Sequence, residues 1–62
     1  MSLFQPGDAC IVQSPIGAFR GTVEDVCGNE FTVIFLEDDE WVNVTVNENE
    51  IWTLSDPTAP KV

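Results

Sequence analysis

Residues 29–46 read Asn-Glu-Phe-Thr-Val-Ile-Phe-Leu-Glu-Asp-Asp-Glu-Trp-Val-Asn-Val-Thr-Val, two apolar runs on either side of four consecutive carboxylates. From Trp41 to Val46 apolar and polar residues alternate, with Val42, Val44 and Val46 on one face and Asn43 and Thr45 with Trp41 on the other. That is the period-two pattern of a half-buried strand. The run from Phe31 to Leu36 is apolar at nearly every position and rich in aromatic and β-branched residues, so it reads as a central strand covered on both faces. Glu37, Asp38, Asp39 and Glu40 cannot be buried together, because each would need its own partner and the chain has almost no cations. They form a solvated turn, and the two strands a hairpin.

Working outward, Pro6-Gly7-Asp8 is a turn signal and residues 9–13 follow as a first strand, with Cys10 and Val12 on one face and Ile11 on the other. Ser14-Pro15-Ile16-Gly17 breaks the pattern as a loop. Residues 18–26 read as a second strand, with Gly21 marking a tight bend or a close backbone approach. Gly28-Asn29 is a turn short enough for a hairpin into the Phe31 strand. After Val46, the polar residues 47–50 have room for one turn of 3₁₀ helix, and residues 51–54 make a short last strand. Residues 1–5 are expected to be a flexible N-terminus, and residues 55–62, with two prolines and no periodicity, a disordered tail. Five short strands in 62 residues predict an all-β fold, a single bent sheet closing on itself as a small barrel over residues 6–54. Two separate sheets would each have too few strands and too many bare edges.

The order and spacing of Gly7-Asp8-Ala9-Cys10, Ala18-Phe19-Arg20-Gly21-Thr22-Val23 and Thr32-Val33-Ile34-Phe35 resemble the first three strands of Tudor-type SH3-like barrels. The segment from Gly17 to Val26 is also similar to the KOW variant. The resemblance spans residues 6–54 and implies a five-stranded SH3-like barrel with a short 3₁₀ turn before the last strand. Tudor domains hold methylated lysine or arginine in an aromatic cage, and by position Phe19 and Phe35 look like two of its walls. Gln13 and Asp38 stand where the other aromatics would be, so only part of the cage is matched. Trp41 and the neighbouring carboxylates could supply part of what is missing.

Composition narrows the function. Eleven acids face only Arg20 and Lys61, a net charge of −9. Phosphate backbones are held by lysine and arginine releasing counterions, so nucleic acid is disfavoured as a partner. Such a field attracts basic proteins and speeds their encounter, and it also serves solubility. The chain has no histidine and no tyrosine. Neither cysteine has a base nearby in sequence to activate it, so no enzyme, no cofactor and no metal site is expected. The carboxylate run lacks the alternating ligands and glycine of a calcium loop. Two cysteines allow at most one bridge, and both are read as reduced thiols, with Cys10 on the core face. Nothing resembles a signal peptide or a membrane span, which makes the cytoplasm the expected compartment.

The expected function is a non-enzymatic interaction module that binds a basic protein or peptide, arginine- or lysine-rich or methylated. Its binding residues would be Phe19, Phe35, Glu37, Asp38, Asp39, Glu40 and Trp41. Against this stands the plainer view of residues 37–40 as a charged turn that discourages edge-to-edge aggregation. Two other classes stay open. One is a homo-oligomer or structural subunit that covers the second face of the Phe31 strand. The other is an acidic mimic of nucleic acid that occupies a DNA-binding protein.

Overall fold

The computed structural model describes residues 4–62. Five antiparallel strands follow one another as β1 (Ala9–Ser14), β2 (Gly17–Cys27), β3 (Glu30–Glu37), β4 (Glu40–Asn47) and β5 (Ile51–Trp52), with one 3₁₀ turn, Glu48–Glu50, before β5. They form one sheet in the order β4-β3-β2-β1-β5. The first four strands are a meander, and β5 returns to pair with β1. Across the concave side β1 also touches β4, three places away in the sheet. The result is a small barrel-like sheet wrapped around one core, as the strand pattern predicts. No helix among the described residues is long and apolar enough to cross a membrane.

Alternation builds the core. Cys10 and Val12 from β1, Val23 from β2, Phe31, Val33 and Phe35 from β3, and Val46 and Ile51 all turn inward and are buried. Successive strand residues face opposite sides, so these positions share one surface once the register is set. In β2 the register shifts between Val23 and Asp25. Val23 pairs with Val33, Asp25 with Thr32 and Val26 with Phe31, which leaves Glu24 unopposed. Strict alternation would have put Asp25 inside and Val26 outside. Burying an unpaired carboxylate is too costly, so a bulge keeps both acids in water and returns Val26 to the core side.

Gly21 shows why the sheet can wrap so tightly. A Cβ placed there would lie 2.6 Å from both the Ile34 carbonyl oxygen and Val33 Cγ1, and 3.3 Å from Phe35 Cβ. The opposite neighbour of Gly21 is Cys10, whose buried thiol donates to the Gly21 carbonyl at 3.6 Å. Burial, reinforced by the Asp8 carboxylate, pushes the Cys10 thiol up to about 11. Cys10 and Cys27 are both free thiols, the first buried and the second exposed.

The turns follow local chemistry. Gly28 (φ 61°) opens the two-residue loop closed by Cys27 and Glu30, as a type II′ hairpin demands at its first central position. Asp38 (φ 50°) and Asp39 (φ 65°) join β3 to β4, both in the left-handed region that a type I′ turn requires and that glycine and asparagine occupy more cheaply. The loop expected over residues 14–17 tightens to Pro15-Ile16. Ser14 Oγ accepts from the Ile16 N–H at 3.2 Å and donates to the Gly17 carbonyl at 3.0 Å, so its burial leaves no polar atom unmatched.

Several expectations need correction. β3 is not covered on both faces: Phe31, Val33 and Phe35 are buried, Thr32 and Ile34 half-buried, and Leu36 is 54% exposed. A single small sheet has only one inside. Residues 1–3 of the expected flexible N-terminus lie outside the described residues, but Phe4 is buried and meets Phe31 edge to face at 5.6 Å. It is held there because Gln5 and Asp8 close a turn and Gly7 and Asp8 pair with Val23. β5 stops at Trp52, since Thr53 accepts from the Asp56 N–H and turns the chain away. The expected disordered tail carries local turns, in which Thr58 donates to the Asp56 carboxylate through its N–H and its hydroxyl, holding that group below its usual pKa.

Three outcomes follow from this packing. Gly21→Ala should destabilise the fold by about 1–3 kcal/mol, because the atoms it meets are strand backbone and core, visible as a melting point lower by at least about 4 °C. Asp39→Gly should stabilise it by about 0.5–1 kcal/mol in chemical denaturation, by relieving a left-handed L-residue and one of four clustered charges. With a thiol reagent near pH 8, Cys27 should react at once and Cys10 at least about a hundredfold more slowly until the chain is unfolded.

Candidate functional site

The convex side of the sheet carries what the core does not use. Register places Leu36 opposite Trp41, Ile34 opposite Asn43, and Thr22 opposite Ile34. On β1 the same side holds Ala9, opposite Thr22, and Ile11, opposite both Arg20 and Trp52. Ile11 is buried, which closes that end of the row. Toward β4 the surface opens into a groove of about 340 Å³ lined by Arg20, Thr22, Ile34, Leu36, Trp41 and Leu54, among others. Trp41 is 72% exposed, beside exposed Leu36 and Leu54. An indole left this far in water is unusual for so large an apolar group.

Beside the groove stands the acidic turn. Glu37 and Glu40 are the last register pair of the β3–β4 hairpin, with Asp38 and Asp39 between them. Like charges directly opposite one another are destabilising, and the left-handed backbone of both aspartates adds to the cost. A sequence selected for stability alone would place Asn-Gly here. Glu40 precedes Trp41 in the chain and Glu37 follows Leu36, so by strand alternation the Glu37 and Glu40 side chains leave the face opposite to the groove, and it is the turn residues Asp38 and Asp39 that stand at the groove's end of the hairpin. Ring face and apolar floor suit the stem of a long side chain, and the acids of the turn at the end of the same hairpin suit a cationic head, as in arginine or lysine.

The residues expected to form one site fall into two groups. Glu37, Asp38, Asp39, Glu40 and Trp41 all lie at the hairpin tip, Trp41 on the outer face and Glu37 and Glu40 on the parity of the inner one. Phe19 and Phe35 do not join them. Phe35 pairs with Val42 on the inner side and is 1% exposed, while Phe19 stacks on it at 4.5 Å, with ring planes 15° apart, and packs against the core. Odd-numbered residues of β3 face inward, so Phe35 points away from Trp41. Phe35 is a core residue and Phe19, partly buried, stacks on it, so the two are not open walls of a cage. Trp52 is half-buried beside Ile11.

Arg20, Ile34, Leu36 and Leu54 are groove residues that the sequence reading did not assign. The signal for Leu36 and Ile34 was available: once the turn is fixed at Asp38-Asp39, pairing Trp41 with Leu36 and Asn43 with Ile34 is arithmetic. Arg20 and Leu54 depend on how β2 and the segment after β5 approach that face, which no local pattern encodes. Among the described residues, no three His, Cys, Asp or Glu side chains converge in a way that could hold a metal ion.

Comparison of the chain with family models, with curated proteins and with solved structures gives no match.

Proposed function

We propose that this chain is a non-catalytic interaction module of the SH3-like barrel type that docks a basic segment of another protein at the tip of the β3–β4 hairpin. The observation that carries this reading is the 72% exposure of Trp41 at the turn-proximal end of β4, on a hairpin whose tip is the acidic run Glu37–Glu40. The strand order β4-β3-β2-β1-β5 and the 3₁₀ turn before β5 support the SH3-like and Tudor- or KOW-like assignment. The net charge of −9 steers a basic partner toward the surface. At the tip, the carboxylates hold guanidinium or ammonium groups and the indole covers their alkyl stems. Selection for methylated side chains is not part of this reading, because Phe35 is sealed in the core.

A competing reading is self-association through the same convex face, favoured by the exposure of Leu36, Trp41 and Leu54. It is opposed by the mutual repulsion of two chains each carrying −9.

Titrating an arginine-rich peptide while following backbone amide signals should move residues 36–41 and leave β5 unmoved. Methylated and unmethylated versions should bind alike. Trp41→Ala should weaken binding about tenfold, in line with loss of an aromatic anchor, without lowering the melting point, and added salt should weaken it further. Absence of any shift near Trp41 at millimolar peptide overturns the reading. A dimer in sedimentation that dissociates on Trp41→Ala would establish the competing one.

A further inference from the structure

The sheet ends in two unlike edges. β5 offers only Ile51 and Trp52, too short for another strand to lie along. β4 offers eight residues, in unbroken register with β3 on one side and, among the described residues, with no strand beyond it on the other. Edges of this length are usually blunted by proline, a bulge or a charge in mid-strand. Residues 41–46, Trp-Val-Asn-Val-Thr-Val, carry none of these.

The turn decides which backbone groups are free. In a β-turn over Glu37–Glu40 the Glu40 N–H donates to the Glu37 carbonyl, so these two form a hydrogen-bonded pair. Bonded and non-bonded pairs then alternate along an antiparallel ladder. Val42, Val44 and Val46 therefore bond to β3, and Trp41, Asn43 and Thr45 direct both N–H and carbonyl away from it. Among the described residues, no backbone bond outside the β3 ladder reaches residues 41–46.

We propose that the β4 edge takes up a sixth strand, supplied by an extended segment of a basic partner. This inference rests on the docking of a basic segment proposed above and adds its mode: main-chain pairing along β4 with cationic side chains at both ends. Charge selects the occupant. Glu37, Asp38, Asp39 and Glu40 lie at one end of β4 and Glu48 and Glu50 just past the other, while the strand between them is uncharged. The complementary segment has about six uncharged residues in strand conformation, spanning roughly 20 Å, with lysine or arginine at each end. A second copy fits worse. Antiparallel pairing of two β4 strands sets the turn carboxylates of each chain against Glu48 and Glu50 of the other.

The test uses the full chain, isotopically labelled, with the peptide Lys-Arg-Thr-Val-Thr-Val-Thr-Val-Arg-Lys and a version N-methylated at alternate backbone positions on the pairing side. The second peptide keeps every charge and removes the strand's donors. In the free chain, amides of Trp41, Asn43 and Thr45 should exchange much faster than those of Val42, Val44 and Val46. On saturation with the first peptide the former should slow at least about tenfold, and the methylated peptide should bind at least about tenfold more weakly. Asn43→Pro, which removes an outward N–H and no bond to β3, should reproduce that loss while the chain stays folded. Equal binding of the two peptides overturns strand addition and leaves basic docking intact. Failure of both to bind overturns both. Concentration-dependent protection of Trp41, Asn43 and Thr45 without peptide would make the occupant a second copy and overturn the choice made here.

Discussion

Everything in this molecule depends on how closely β2 and β3 can approach at Gly21. A 62-residue chain has little apolar surface to bury, so its core must be shared among all strands at once, and a sheet this small reaches round only if it bends sharply. The missing side chain at Gly21 lets Val33 and the Ile34 carbonyl occupy the space where a Cβ would stand. Cys10 fills the opposite side with a small, soft, neutral group whose thiol reaches the Gly21 carbonyl. The stacked pair Phe19 and Phe35 lies next to this contact along both strands and holds the same curve from the side-chain level. Core and curvature are thus one requirement, met by one glycine and its immediate neighbours.

Much of this was legible in the sequence because the strands are short and their patterns strong. The hairpin over residues 29–46 is marked by period-two alternation and by four acids that no small core could hold, and the glycines sit where turns or close contacts need them. What could not be read was which side of β3 faces inward. An apolar run shows no alternation and is compatible with burial on both faces, although only Phe31, Val33 and Phe35 are enclosed. The same ambiguity extends to the site: nothing in the run itself keeps Phe35 from being a surface ring, and only its parity with Val42 puts it inside. Phe4 escaped for a different reason. A lone aromatic before a proline-glycine turn carries no periodic signal, and its place against Phe31 is set by hydrogen bonds from Gln5, Gly7 and Asp8 to one another and to β2.

The acidic turn shows stability yielding to surface chemistry. Two left-handed aspartates between a facing pair of glutamates form a poor hairpin loop by every local criterion, yet the turn is held in place by eight consecutive register pairs in the strands behind it. The fold can carry this cost because the strands behind the turn are anchored by the enclosed side chains of Val33, Phe35 and Val46. A strained and highly charged turn on a rigid two-stranded arm presents its carboxylates at fixed positions. Fixed charges lose less entropy on meeting a partner than mobile ones.

The bulge at Glu24 also determines where the chain can change length. Before it, even-numbered residues of β2 face outward; after it, odd-numbered ones do, and Glu24 and Asp25 share the outer side. Deleting either acid would leave Val23 and Val26 inside with a single residue between them, an unbroken strand of the same parity. Deleting any one residue from Phe19 to Val23 would instead exchange inside and outside for everything back to the preceding turn. The strand thus has a reading frame, and the paired acids are the one place where a residue can drop out without shifting it.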